Sequence, residues 1–210
     1  MRRSIAFGLK RAFDVALSAV ALVVLSPLIA LIGLAILAIM GRPVFFHQPR
    51  LGLHGKPFVL YKFRSMEDRR GDDGELLPDE QRLTRVGRLL RSVTLDEVPE
   101  ALNVLRGDMS IVGPRPLRVE YRDFYNEEQW RRHDMRPGMA GPVLAKGRNT
   151  LSWDDKFGLD VRYVDEWSLW LDAKIIVQTT LNIFKRKGIS ADDHATMPWF
   201  QGSDAKRAPD

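Results

Sequence analysis

No cysteine occurs in the 210 residues, which excludes a disulfide framework and any cysteine-ligated metal. A reducing compartment fits that absence. No internal repeat recurs along the chain. A third absence is local: from Val15 to Met40, 26 residues pass without one Asp, Glu, Lys or Arg. That run is too long for a secretory signal peptide, and no small-residue cleavage site follows it, only Gly41-Arg42-Pro43. No recognisable nucleic-acid module accompanies the basic charge, so a nucleic acid is not expected as a partner.

The length supports one domain, or a small domain with an appendage. Hydrophobic residues make up 45% of it, unevenly spread, and the net charge of +5 is uneven too. Residues 1–70 hold eleven Lys and Arg against three Asp and Glu, whereas the remainder is slightly acidic. Positive charge thus gathers around the apolar run, as in a protein held against anionic lipid headgroups.

About 20 apolar residues cross a bilayer, so a membrane helix is the natural assignment. Two features set this one apart. Ser26-Pro27 sits mid-run, where proline deletes a backbone hydrogen bond, although a serine hydroxyl can satisfy the freed carbonyl. Both flanks are basic, with Arg2, Arg3, Lys10 and Arg11 before and Arg42, Arg50 and Lys56 after, and each basic flank prefers the cytoplasm. A re-entrant helix–break–helix satisfies both constraints, each half being roughly 18–21 Å long at 1.5 Å per residue, about one leaflet. A kinked spanning helix satisfies the proline alone. Asp14 needs a partner in or near lipid, and Lys10 or Arg11 is one turn away.

Beyond Gly41, Val44–Phe46 and Phe58–Tyr61 are β-prone runs that predict a hairpin ending at Lys62-Phe63-Arg64. Residues 67–80 are charged, with Gly71 and Gly74, and read as a loop. Leu83, Val86, Leu89 and Leu90 repeat with helical spacing up to Arg91, and Thr94 to Leu105 reads as a second helix stopped by Gly107. Gly113-Pro114-Arg115-Pro116 is a rigid loop, and Arg136-Pro137-Gly138 with Gly141-Pro142 marks a second irregular stretch. Asp160 to Lys187 is helical in pattern, with Trp167 and Trp170 of the kind that favour a membrane–water interface. Lys185, Arg186, Lys187 and Gly188 end it in the usual way, and a polar tail follows. The predicted class is an α-rich α/β (α+β) membrane-associated domain, with an N-terminal re-entrant helix–break–helix and interfacial amphipathic helices. Its expected divisions are residues 1–41 for the membrane segment, 42–188 for the catalytic body and 189–210 for the tail.

Two adjacent carboxylates, Asp96 and Glu97, stand at the start of the predicted helix. Thr94-x-x-Glu97 matches a capping box, and acids favour a first helical turn. Pro99 disturbs that box: with Thr94 as cap it falls at the fifth helical position, against the carbonyl of Leu95. With Asp96 as cap it falls in the tolerant first turn. In either register the helix start stabilises an ionised carboxylate, which suits a nucleophile or a magnesium ligand. Lys62, Arg64, Arg88, Arg91 and Arg115 flank the pair in sequence. Arg115, between prolines, is pre-positioned for bidentate phosphate contact. Capping and solvated surface charge remain the alternatives for these residues.

Nine strings then carry a resemblance: Lys10-Arg11-x-x-Asp14, Ser26-Pro27, Tyr61-Lys62-Phe63-Arg64-Ser65-Met66, Leu95-Asp96-Glu97-x-Pro99, Asn103-Val104-Leu105-x-Gly107-Asp108-Met109-Ser110, Gly113-Pro114-Arg115-Pro116-Leu117, Arg136-Pro137-Gly138, Gly147-Arg148-Asn149 and Leu171-Asp172-x-Lys174-Ile175. In this order they resemble the bacterial sugar transferases, the monotopic phosphoglycosyl transferases. The short length and Tyr125-Asn126-Glu127-Glu128-Gln129 look most like the small members that transfer a bacillosamine phosphate. At Gly141 to Lys146 the chain departs from the usual family string, which leaves the sugar open.

The resemblance implies transfer of a sugar 1-phosphate from a UDP-sugar to undecaprenyl phosphate, releasing UMP through a covalent aspartyl-phosphosugar. It implies Asp96 as nucleophile, Asp96 and Glu97 toward Mg2+, and Lys62, Arg91, Arg115 and Asp172 at the substrate phosphates. It also makes Ser26 and Pro27 the break of a re-entrant helix, in a monotopic protein on the cytoplasmic face of the bacterial inner membrane, among its lipids and beside downstream glycosyltransferases. Two rivals are a membrane-bound phosphohydrolase using the same aspartate and a non-catalytic, lipid-binding membrane adaptor.

Overall fold

The apolar run forms two helices, α1 (Arg2–Val24) and α2 (Ser26–Met40). In the computed structural model, which describes residues 2–146, 151–184 and 199–202, the pair is bent by 61° at the break. Pro27 stands in the first turn of α2, where a missing N–H is tolerated. The carbonyl four residues before it, Val23 O, instead accepts from the Ser26 hydroxyl at 2.8 Å. Among the described residues no single helix is long and apolar enough to cross a membrane. Val20, Val23, Val24, Leu31 and Leu34 nevertheless face outward, Val23 at 73% exposure.

The other end of α1 is fastened by charge. Lys10, Arg11 and Asp14 lie within about one turn and share a face. Lys10 Nζ pairs with Asp172 at 2.6 Å and donates to Val112 O at 2.9 Å. Arg11 donates to the carbonyls of Val104 and Leu105, at 2.6 and 3.1 Å. Asp14 accepts from Ser110 Oγ and Ile111 N, at 2.7 and 3.1 Å. The expected pairing of Asp14 with Lys10 or Arg11 is therefore corrected: all three reach across to the body, where buried backbone groups need partners.

Strands β1 (Phe45–Leu51) and β2 (Pro57–Phe63) form the expected antiparallel hairpin, in register from Phe45 opposite Phe63 to Leu51 opposite Pro57. Residues 67–78 form a loop with a turn and the isolated bridge of Arg70 and Leu76, without a helix or named strand. Then come α3 (Asp79–Arg82) and α4 (Arg85–Ser92), the latter capped by Thr84. Leu83 belongs to neither; it is extended and bridges Met66. The helix expected over Thr94–Leu105 is divided, because Pro99 can only begin one: Leu95–Glu97 is a 3₁₀ turn and α5 runs Glu100–Arg106. Gly107, at φ 93°, stops it as predicted.

A short parallel pair, β3 (Ser110–Val112) and β4 (Gly138–Ala140), was not apparent in the sequence. Between them lies α6 (Glu127–Trp130), where Asn126 and Gln129 form a reciprocal capping box. The stretch expected to be irregular after Gly141 forms α7 (Pro142–Lys146), followed by α8 (Trp153–Glu166) and α9 (Leu169–Phe184). The single helix expected from Asp160 is thus two, divided at Trp167-Ser168. Trp167 is not interfacial: it is buried, stacks on Phe7 with centroids 4.2 Å apart and donates to Asp172. Trp170, at 79% exposure, does face outward. The predicted helix end at Lys185–Gly188 and the string Gly147–Asn149 lie outside the described residues. Of the segment expected as a polar tail, residues 199–202 are described, and there Phe200 packs against Tyr121 and Phe157.

Lys10 and Asp172 are mutual charge partners in a site that excludes most water. Lys10→Met should cost about 3 kcal/mol by leaving the Asp172 carboxylate buried without a cation, seen as a clear drop in the melting temperature of detergent-solubilised protein. Unchanged melting would mean that the pair is not what fastens α1.

Candidate active site

Four segments converge on the Asp96-Glu97 pair. Helix α4 lies so close to Ser65 that a side chain at Gly87 would overlap the Ser65 backbone. That contact delivers Arg91, whose Nε donates to Ser65 Oγ at 3.0 Å. Thr94 follows in the left-handed region, at φ 57°, a conformation that non-glycine residues adopt at a cost and that concentrates at functional sites. It turns the chain so that Leu95–Glu97 enters as a separate 3₁₀ turn with both carboxylates buried.

Strand β2 brings Lys62, and Asn103 of α5 sets its position. Asn103, fully buried, accepts from Tyr61 N at 3.1 Å and donates to Val59 O at 2.7 Å. The loop after β3 brings Arg115, held from behind by Arg132 Nη2 on its carbonyl at 2.7 Å. Gly113 and Gly138 allow this loop to lie directly on β4, since a side chain at either would overlap the other's neighbouring backbone.

The geometry separates the two acids. Glu97 Oε1 receives Lys62 Nζ at 2.7 Å and Arg115 Nη2 at 3.1 Å. Asp96 is equally buried, at 8% exposure, yet its carboxylate accepts no hydrogen bond among the described residues. Burial, then the charge of Glu97, push the Asp96 carboxyl above its ordinary value, while Lys62, Arg91 and Arg115 oppose the shift. The expectation that a helix start stabilises the ionised form is corrected accordingly: α5 begins only after Pro99, so burial decides. Thr94 makes no side-chain cap either, which removes the capping box.

Lys62, Arg91 and Arg115 are brought to the pair. Arg64 is not; it donates to the carbonyls of Met40 and Arg42 and closes the end of α2. Arg88 is exposed. Asp172, expected at the substrate phosphates, has Lys10, Tyr163 and Trp167 as partners, none of them in this cluster.

Sequence reasoning missed Glu100. It is 3% exposed and lies 3.1 Å from Lys62. Burial, tempered by Lys62 and reinforced by Glu97, pushes its carboxyl up to about 7. The available signal was its spacing, since Glu97 and Glu100 are three residues apart on a turning chain.

A buried carboxylate with no donor among the described residues, ringed by three cations, suits attack on or coordination of a phosphate. The sequence matches the model of the bacterial sugar transferases over residues 5–186. The chain belongs to that family. It is 50% identical to the uncharacterised sugar transferase EpsL of Bacillus subtilis (strain 168), over 93% of this chain and 96% of that one. It is 38% identical to the UDP-glucose:undecaprenyl-phosphate glucose-1-phosphate transferase of Escherichia coli (strain K12), over 85% of this chain but 41% of the relative. A protein of the same name from Caulobacter vibrioides is 39% identical, over 81% of this chain and 67% of its own. This sugar transferase therefore spans nearly all of one relative and about two fifths of another.

Glu100 gives the sugar transferase a pH signature. A carboxyl raised from 4.5 to about 7 binds more protons folded than unfolded, so it contributes stability that is lost as pH rises through that window. Glu100→Gln should flatten the dependence of melting temperature on pH between about 4.5 and 7. Parallel curves for variant and wild type would contradict the assignment.

Proposed function

We propose that the chain is a monotopic phosphoglycosyl transferase, moving a sugar 1-phosphate from a UDP-sugar to undecaprenyl phosphate at the cytoplasmic face of the bacterial inner membrane. The observation that carries this is the inequality within the acidic pair. Glu97 is engaged by Lys62 and Arg115, whereas Asp96, buried beside the same cations, accepts no hydrogen bond among the described residues. The names of the Escherichia coli and Caulobacter relatives describe the same exchange for glucose.

In the first step an Asp96 oxygen attacks the β-phosphorus. The bond from that phosphorus to the bridging oxygen breaks, UMP leaves with the oxygen, and an aspartyl-phosphosugar remains. In the second step an oxygen of undecaprenyl phosphate attacks the same phosphorus and the Asp96 carboxylate is released. Lys62, Arg91 and Arg115 balance the charge on the transferred group, and Glu97 keeps Lys62 and Arg115 in place.

Magnesium fits this set in its usual manner, one carboxylate completed by substrate phosphate oxygens and water. Asp96, which accepts no hydrogen bond among the described residues, has oxygens for it; Glu97, expected beside it, already shares Oε1 between two cations. Among the described residues no three His, Asp or Glu side chains form a protein-only cage. When bound, the ion would neutralise diphosphate charge.

The bent α1–α2 pair enters one leaflet and returns, with its exposed apolar side chains in lipid and the Lys10–Asp14 turn at the headgroups. Helix α9, with Leu169, Trp170, Val177 and Leu181 exposed, lies along the interface. For the sugar, Tyr125–Gln129 favours a bacillosamine phosphate, whereas names among the relatives specify glucose and galactose. UDP-linked forms of all three belong in the assay.

Asp96→Asn keeps size and shape but cannot form the acyl phosphate. Transfer to undecaprenyl phosphate should fall about a thousandfold or more, as for loss of a covalent nucleophile, with melting essentially unchanged. A variant within tenfold of wild type would rule out Asp96 as nucleophile. A wild-type enzyme yielding free sugar phosphate in place of a lipid product would be a hydrolase.

A further inference from the structure

Arg115 has cationic as well as acidic neighbours. Arg50, near the end of β1, and Arg118, three residues beyond Arg115, are paired directly across an antiparallel bridge, and the bridge is fixed by Leu51 N on Leu117 O at 3.0 Å. Residues so placed put their side chains on one face, where like charges destabilise. The Arg50 guanidinium finds only uncharged partners: Pro116 O at 3.3 Å and Gln48 Oε1 at 2.6 Å, with a buried Nε that has none. Arg118 lies over the Trp199 ring, 4.7 Å from its centroid. Among the described residues neither arginine has a carboxylate within 4 Å.

Burial, then Arg115 and Arg118, depress Arg50 to about 10, with the charge of Glu100 opposing the shift. Two facing arginines with no carboxylate in contact among the described residues are costly to keep beside apolar packing. Its backbone is rigid, because Pro114 and Pro116 flank Arg115 and the Pro116 carbonyl is itself a partner of Arg50. A planar fork on a fixed backbone matches a phosphate, which takes bidentate contacts from arginine.

We propose that Arg50 and Arg118 form a second phosphate subsite, continuous with the Asp96 site through Arg115. It rests on the transferase assignment for its place in the reaction, but its ligand chemistry is a phosphate group whichever substrate supplies it. The two sources are the nucleotide of the UDP-sugar and the phosphate of the lipid acceptor.

The test uses the full chain in detergent, wild type, Arg118→Gln and Arg50→Lys, with binding of UMP and of farnesyl phosphate measured separately. Arg118 is half-buried, and its truncation leaves the bridge backbone intact; melting without ligand checks folding. If Arg50→Lys fails to fold, Arg118→Gln decides alone. Weakening of UMP by about tenfold or more, the worth of a charge-assisted contact, places the nucleotide there. The same loss for farnesyl phosphate, with UMP unaffected, places the lipid phosphate there. Unchanged affinity for both ligands overturns the subsite. Transfer by the wild type is assayed in parallel, so failure of the transferase assignment shows as inactive wild type, independently of the binding result.

Discussion

A single carboxylate oxygen, Glu97 Oε1, receives Lys62 from β2 and Arg115 from the loop after β3. Those three residues lie on segments that are distant in the chain, and the shared oxygen makes them one unit. Partly buried charges at these separations attract strongly, and removing any one leaves the others short of a partner. Asp96 gains its character from that arrangement. Because its neighbour takes the direct contacts of Lys62 and Arg115, Asp96 accepts no hydrogen bond among the described residues and sits inside a positive field.

A second joint ties this unit to the apolar helices. Lys10, Arg11 and Asp14 reach α9, α5 and β3 respectively, and β3 leads straight into the Arg115 loop. The separation between the bent helix pair and the carboxylate pair is therefore set by buried hydrogen bonds. In the proposed reaction, which joins a soluble donor to a lipid-borne acceptor, that fixed offset sets whether the acceptor phosphate can reach Asp96. Ser26 serves the same geometry at the far end, by satisfying the carbonyl that Pro27 leaves without an amide.

Local chemistry was legible where one residue type dictates the backbone. Pro27 marked the break, Gly107 the end of α5, and the β-prone runs the hairpin. Asp96 and Glu97 stood out near Pro99, and Arg115 between two prolines, whereas only the resemblance separated Lys62 and Arg91 from Arg64 and Arg88. What the sequence concealed was tertiary. Nothing local distinguishes Asp172, buried under Lys10 and Trp167, from a carboxylate at a phosphate. Asp14 found Ser110 and Ile111, nearly a hundred residues away. The parallel pairing of β3 and β4 involves three residues on each side, too few for a periodic signal. Glu100 resembled an ordinary first-turn acid until burial beside Lys62 set it apart.

The account stands on covalent chemistry at Asp96, and the mass of the intact protein reads it most directly. Enzyme incubated with magnesium and a UDP-sugar it accepts, without any lipid phosphate, should gain the mass of one phosphosugar, located by peptide mapping at Asp96, and release one equivalent of UMP. No adduct, with UMP appearing only once undecaprenyl phosphate is added, would contradict it and point to direct transfer between the two substrates.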